Sequence, residues 1–159
     1  MYSTLNSIVR TTLRNFQVTG ATNTSPTVPI RENLFVQSGS SEPRLFARQC
    51  EDTGQVFYPR DSIEPGVSPK RNLRDIELEG RGHIVAFTVV RRALPGFASP
   101  YALAMVELKE GVSLFAQIEG WTEDTLKVGA PVRMLIGTIK EQPDGTRLVG
   151  PKFRIVTDG

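Results

Sequence analysis

The chain has one cysteine and one histidine in 159 residues. A single thiol excludes an intrachain disulfide framework, and Cys50 with His83 would supply only two of the four ligands of a structural zinc. No apolar run approaches the roughly 20 residues that a membrane-spanning helix requires. Concentrated charge is also missing. A formal net charge of +2 falls well short of the Lys/Arg stripe that would make nucleic acid the default partner. No G-x-S-x-G elbow frames a serine nucleophile, and the glycines of "EGRGH" precede a strand pattern instead of the helix that a dinucleotide fingerprint requires. What remains is ordinary globular composition, 39% apolar and 23% charged, sufficient for one domain with an appendage. These features fit a soluble, cytoplasmic protein in a reducing compartment, with no membrane partner.

Acidic residues are absent before Glu32. Leu5, Ile8, Val9, Leu13 and Phe16 fall at helical spacing beside Arg10 and Arg14, which predicts an amphipathic N-terminal helix for docking or targeting. Residues 20–29 read as a polar linker, so residues 1–31 form a helix-and-linker unit, followed by a short helix at residues 32–37. From Gly80 the period changes. "HIVAFTVVRRA", "YALAMVEL", "VSLFAQIEG", "PVRMLIGTIK" and "TRLVGPKFRIV" are rich in β-branched and aromatic residues and predict five strands. Asp144-Gly145 supplies positive φ for a tight hairpin between the last two, and Thr122 caps a helical turn between the third and fourth. The chain is therefore mainly β, and residues 80–159 have the layout of a five-stranded OB-fold barrel. Phe87, Phe115 and Phe153 have alternating apolar neighbours and are expected to fill that barrel. This weakens the alternative function, single-stranded nucleic-acid binding on aromatic platforms.

Residues 44–66, "RLFARQCEDTGQVFYPRDSIEPG", have the rhythm of a metal-binding knuckle with too few ligands. Together with "GRGHIVAFTVV", "PYALAMVELKEGVSLFAQIEG", "LKVGAPVRMLI" and "PKFRIV", they resemble the OB-fold proteins that carry a rubredoxin-like zinc ribbon before the barrel and work with acyl-CoA enzymes. The resemblance covers about Glu32 to Val156. It implies a ribbon in residues 32–79 whose four ligand positions fall on Cys50, Thr53, Ile63 and Gly66. Three of these cannot serve as structural zinc ligands, so a degenerate, metal-free ribbon is expected, held by packing of Val56, Phe57, Tyr58 and Ile63. Zinc contributes an apparent ~10–16 kcal/mol in small metal-folded modules, whereas burying one large apolar side chain yields about 1.5–3 kcal/mol. Packing or a partner surface must make up the difference.

The resemblance further implies a non-catalytic accessory subunit that forms a hetero-oligomer with a larger thiolase-like catalytic subunit in an acyltransferase or acyl-CoA-cleaving complex. No tightly bound cofactor is expected, with a CoA thioester held at a shared site. In the loop "RRALPGFASPY", Arg91 and Arg92 are candidates for CoA phosphates, and Tyr101 for the apolar pantetheine arm. Phe97, Pro95, Phe57 and Tyr58 are the candidate partner interface. A Cys50/His83 dyad is the one thiol-imidazole pair available for chemistry by the chain alone.

Overall fold

The computed structural model describes residues 25–37, 41–60 and 72–156. The predicted N-terminal helix and the ribbon positions Ile63 and Gly66 lie outside the described residues. Within them the chain forms ten strands and no helix. The first five are β1 (Thr27–Pro29), β2 (Phe35–Val36), β3 (Arg44–Cys50), β4 (Val56–Phe57) and β5 (Leu73–Leu78). The second five are β6 (Arg81–Val90), β7 (Tyr101–Leu108), β8 (Ser113–Glu119), β9 (Pro131–Glu141) and β10 (Arg147–Ile155).

The second five match the strands predicted from sequence. In β7 the period-2 rule is obeyed throughout: Ala102, Ala104, Val106 and Leu108 are buried, while Tyr101, Leu103, Met105 and Glu107 face outward. Antiparallel pairing runs β8–β7–β6–β9–β10, and a parallel contact of β10 with β8 returns to the start. That last seam is short, with Phe153 opposite Ile118 and Arg154 opposite Glu119, so the result is the partly open Greek-key barrel of an OB-fold. The Asp-Gly hairpin forms as expected. Gly145 has φ +83°, its N–H donates to the Gln142 carbonyl (2.9 Å), and the Asp144 carboxylate accepts from the Thr146 N–H (2.8 Å). Thr122 also caps one turn, its hydroxyl accepting from the Thr125 N–H (3.2 Å), without a helix developing beyond it.

Three sequence expectations need correction. Residues 32–37 are not helical: Asn33 takes φ +59°, which ends any helical path, and the chain then enters β2 against β3. Part of the expected linker is β1, which runs parallel to the start of β10 through non-local pairing that no local apolar period announces. Phe153 does fill the barrel, at 0% exposure, but Phe87 and Phe115 remain 41% and 67% exposed. A β-bulge between Ile84 and Ala86 shifts the alternation of β6, and Phe115 stands opposite Met105 on the outer side of β7–β8.

The first half forms a second sheet in which β3 is central, pairing with β2 and β4 along one edge and with β5 along the other. Leu45, Ala47 and Leu78 from this sheet belong to the same buried cluster as Ile84, Val106 and Phe153 of the barrel. Only Glu79 and Gly80 separate β5 from β6, so the two sheets share one core. Ion pairs bridge the seam, Arg133 with Glu42 and Arg44 with Glu79. No helix among the described residues is long and apolar enough to cross a membrane.

Candidate functional site

At the β3–β4 turn the Gly54 N–H donates to the Cys50 carbonyl (2.8 Å), and the Cys50 N–H to the Gln55 carbonyl (2.8 Å). Where a second thiolate would stand, the Thr53 hydroxyl meets the Cys50 sulfur. This hydrogen bond, with help from the backbone at Asp52 and Thr53, holds the thiol below its ordinary pKa, although burial opposes it. The donor set does not fit zinc, because Thr53 replaces a soft ligand and the sequence places Ile and Gly at the other two positions. Among the described residues, no three His, Cys, Asp or Glu side chains gather where they could hold a metal. Cys50 and His83 do not form a dyad. Cys50 pairs with Leu73 at the far end of β5, five strand residues (about 17 Å) from Leu78, whereas His83 lies on β6 opposite Glu107.

A concavity lies on the outer face of β7–β8. It is a cleft of 580 Å³, within the range of ligand pockets, where five chain segments converge: the β1–β2 turn, the Tyr58–Pro59 turn, the 91–100 loop, β7–β8 and β9–β10. Three predicted site residues, Tyr58, Phe97 and Tyr101, line it together. The Phe97 and Tyr101 rings stack with centroids 6.1 Å apart and planes inclined at 25°, and the Lys140 ammonium sits 5.4 Å from the Phe97 centroid. The loop is tied down. The Gly96 carbonyl accepts from the Glu141 N–H (2.7 Å), and the Ser99 hydroxyl donates to the Arg91 carbonyl (2.8 Å). Gly96 itself is required, because at φ +90° any Cβ would collide with the Glu141 carbonyl oxygen.

The other predicted residues lie elsewhere. Arg91 and Arg92 are exposed outside the cleft lining, and the Arg91 guanidinium makes a solvent-exposed 3.9 Å contact with Glu123. Pro95 is exposed on the loop next to Leu94, which at 75% is the most exposed large hydrophobic residue described. Phe57, expected at an interface, is 4% exposed, so its side chain belongs to the interior and offers no surface to a partner. Sequence reasoning missed Arg31, Phe115 and Ile139 as cleft residues. For Phe115 the outward register relative to Ala116 was a usable signal; for Arg31 and Ile139, brought in by non-local pairing, there was none.

An OB-fold barrel that shares its core with a second sheet and presents an apolar cleft has the architecture of a binding or assembly module. The comparisons with known proteins agree. Residues 75–136 match the model of the ChsH2 C-terminal OB-fold domain. A DUF35 domain-containing scaffold protein of Pyrococcus furiosus is 35% identical over 129 residues, covering 79% of this chain and 93% of the relative. The benzoylsuccinyl-CoA thiolase subunit BbsA of Thauera aromatica is 28% identical over 112 residues, 70% of this chain and 76% of that one. Among solved structures, the Ltp2-ChsH2(DUF35) aldolase matches with a TM-score of 0.55 and 26% identity, covering 70% of this chain and 84% of that one. The chain belongs to the family of DUF35 domain-containing scaffold proteins.

Proposed function

We propose that this chain is a non-catalytic accessory subunit that scaffolds a larger thiolase-like catalytic subunit in an acyltransferase or acyl-CoA-cleaving complex. The observation that carries the reading is the 35% identity to a protein named a scaffold over 93% of that relative's length, backed by the likeness to a thiolase subunit. The chain's own chemistry supports it: the only thiol is buried and hydrogen-bonded to Thr53, and the only imidazole lies on the other sheet. The partner supplies nucleophile and base. This chain contributes the 91–100 loop, with Leu94 and Pro95 as exposed apolar contacts and the solvated Arg91 and Arg92 available to CoA phosphates.

The test is co-expression of the full chain with candidate thiolase-family catalytic subunits from the same genome, followed by light scattering and thioester-cleavage assays. A hetero-oligomer of fixed stoichiometry, with turnover only in the complex, is expected. A chain that stays alone with every such subunit, or that turns over by itself and loses activity in Cys50→Ala, overturns the proposal. The exposed Phe115 favours oligonucleotide stacking as a second reading, but Arg31 is the only charged residue lining the cleft, too little to follow a phosphate backbone.

A further inference from the structure

We propose that the free edge of β6, Val85–Val90, takes an added strand from the catalytic partner subunit, an extended segment that is apolar opposite Phe87 and Val89 and carries an Asp or Glu beside Arg92. The inference rests on the accessory-subunit reading and adds how the two chains meet.

The backbone argument comes first. β9 pairs with β6 only at Arg81–His83. The Gly129–Ala130 segment carries that edge one residue further, the Ile84 N–H donating to the Ala130 carbonyl (3.0 Å) and the Ile84 carbonyl accepting from the Gly129 N–H (2.7 Å). Ile84 therefore turns its polar groups away from β7. In an antiparallel ladder every second residue does so, and the bulge at Val85 shifts the count by one, from Ile84 opposite Val106 to Ala86 opposite Met105 and Phe87 opposite Ala104. Alternation then gives the N–H and carbonyl of Ala86 and Thr88 to β7. It leaves those of Phe87 and Val89 pointing outward, where no strand or loop among the described residues meets them.

The side chains supply the chemistry. Val85, Ala86, Phe87 and Thr88 are all exposed, so both faces of the strand are open at once, as at a sheet edge. Phe87 shares the inner side with buried Ala104, and its ring is exposed because the sheet stops there. From His83 to Val90 there is no Lys, Arg, Asp, Glu or Pro, the residues that keep an edge from pairing, and only the bulge interrupts it. Exposed Val128 adjoins one end of this edge through Gly129, and Arg91 and Arg92 follow the other. Arg91 reaches Glu123, but Arg92 has no acidic partner among the described residues, which favours an acid on the incoming strand. A second copy is a poor occupant, because antiparallel pairing about Phe87 would set its Arg91 opposite His83, a position that β9 already fills.

The experiment is amide hydrogen exchange on the full chain, free and in the hetero-oligomer, with association of variants measured by calorimetry. The Phe87 and Val89 amides should exchange fast in the free chain and at least about tenfold more slowly in the complex. Phe87→Ala removes the ring but keeps the N–H and should weaken association about tenfold. Phe87→Pro also removes the outward N–H while sparing the bonds to β7, and should weaken it about tenfold further. Arg92→Glu should weaken association and Arg92→Lys should not, and denaturation midpoints establish that the variants fold. If Phe87→Pro does not fold, the wild-type exchange and Arg92→Glu still decide. A complex in which those amides exchange freely, or equal losses in Phe87→Ala and Phe87→Pro, overturns strand addition and leaves the subunit reading standing, whereas absence of any complex removes both. Slow exchange in the free chain would mean that another part of the same chain fills the edge. A homodimer of the free chain abolished by Phe87→Pro would mean that a second copy does. Either result overturns the proposal.

Discussion

Gly96→Ala tests whether the 91–100 loop is clamped to the barrel as the structure shows. An alanine held at φ +90° costs about 1–3 kcal/mol in backbone strain. Its Cβ would also strike the Glu141 carbonyl oxygen and press on the Lys140 side chain, with Cε at 3.1 Å and Cγ at 3.2 Å. The carbonyl belongs to the end of β9 and cannot retreat without disturbing the hairpin to β10. The alternative is release of the loop. That forfeits the Glu141-to-Gly96 hydrogen bond, net about 1 kcal/mol, the Phe97–Tyr101 stack, about 0.5–1.5, and the Lys140–Phe97 contact, about 0.5–1. Release costs about 2–3.5 kcal/mol and retention about 1–3 kcal/mol plus the clash, so the chain has no cheap escape. Gly111→Ala is the control, because Gly111 has φ +78° but nothing within 4 Å of a Cβ, and should lose only about 1–2 kcal/mol. Urea denaturation followed by Trp121 fluorescence measures both, and ring contacts between Phe97 and Tyr101 by NMR distinguish strain from release. A loss below about 0.5 kcal/mol in Gly96→Ala, with the ring contact retained, would refute the clamp.

Metal analysis of the purified protein should find no stoichiometric zinc; one tightly bound zinc per chain would contradict the unsuitability of Thr53, Ile63 and Gly66 as ligands. Asp144→Asn should weaken the β9–β10 hairpin at neutral pH. The Thr146 N–H and hydroxyl hold the Asp144 pKa below its ordinary value, so the wild-type advantage is present above the unfolded value of about 3.9 and disappears as pH falls through the folded one. Denaturation midpoints of both proteins from pH 7 down to about pH 2 check this sign, and an advantage that grows on acidification refutes it. Leu45→Ala, at a fully buried position, should cost about 2–5 kcal/mol in a single transition that removes both sheets together, whereas two separate transitions would deny the shared core. If the proposed catalytic subunit binds the 91–100 loop, Leu94→Ala should weaken that assembly without lowering the denaturation midpoint, because the side chain is 75% exposed.

The barrel was legible because its strands are rich in β-branched and aromatic residues and are separated by recognisable turns, with β7 carrying its burial pattern locally. The sequence YALAMVEL alternates without a fault, and the turn residues Gly145 and Thr122 state their roles in their own chemistry. The first sheet was not legible for two reasons. β1 and β2 have three and two residues, too short to show a period, and owe their existence to β10 and β3. In β5, LRDIEL, three of six residues are charged because one face lies against solvent, and the pairing with β3 outweighs the weak propensity of Asp and Glu. The site divides in the same way. Tyr58, Phe97 and Tyr101 could be nominated as aromatics near turns, but their convergence depends on β3–β4 docking against the barrel, which no local pattern encodes. Phe57 shows the limit: it neighbours Tyr58 in sequence yet points into the core.

The shared core gives the β3–β4 turn a support that does not depend on a metal. An isolated ribbon must generate its own stability, which is why zinc is decisive in small metal-folded modules. Here Leu45 and Leu78 are buried at 0% and 1% in one cluster with Ile84 and Phe153, so the sheet orders when the barrel does. The ion pairs at the seam do not carry this. Arg44 and Glu79 are 38% and 54% exposed, and such surface pairs are worth up to about 1 kcal/mol. Stability is therefore supplied at the Leu45 end of β3, away from the turn at Cys50. A positional role remains. The β3–β4 pairing sets where the chain turns at Tyr58 and Pro59, and those two residues form one wall of the cleft opposite Phe97 and Tyr101. Displacing the knuckle would open that wall while leaving the barrel folded, which ties the first sheet to the cleft's shape more closely than to the stability of the domain.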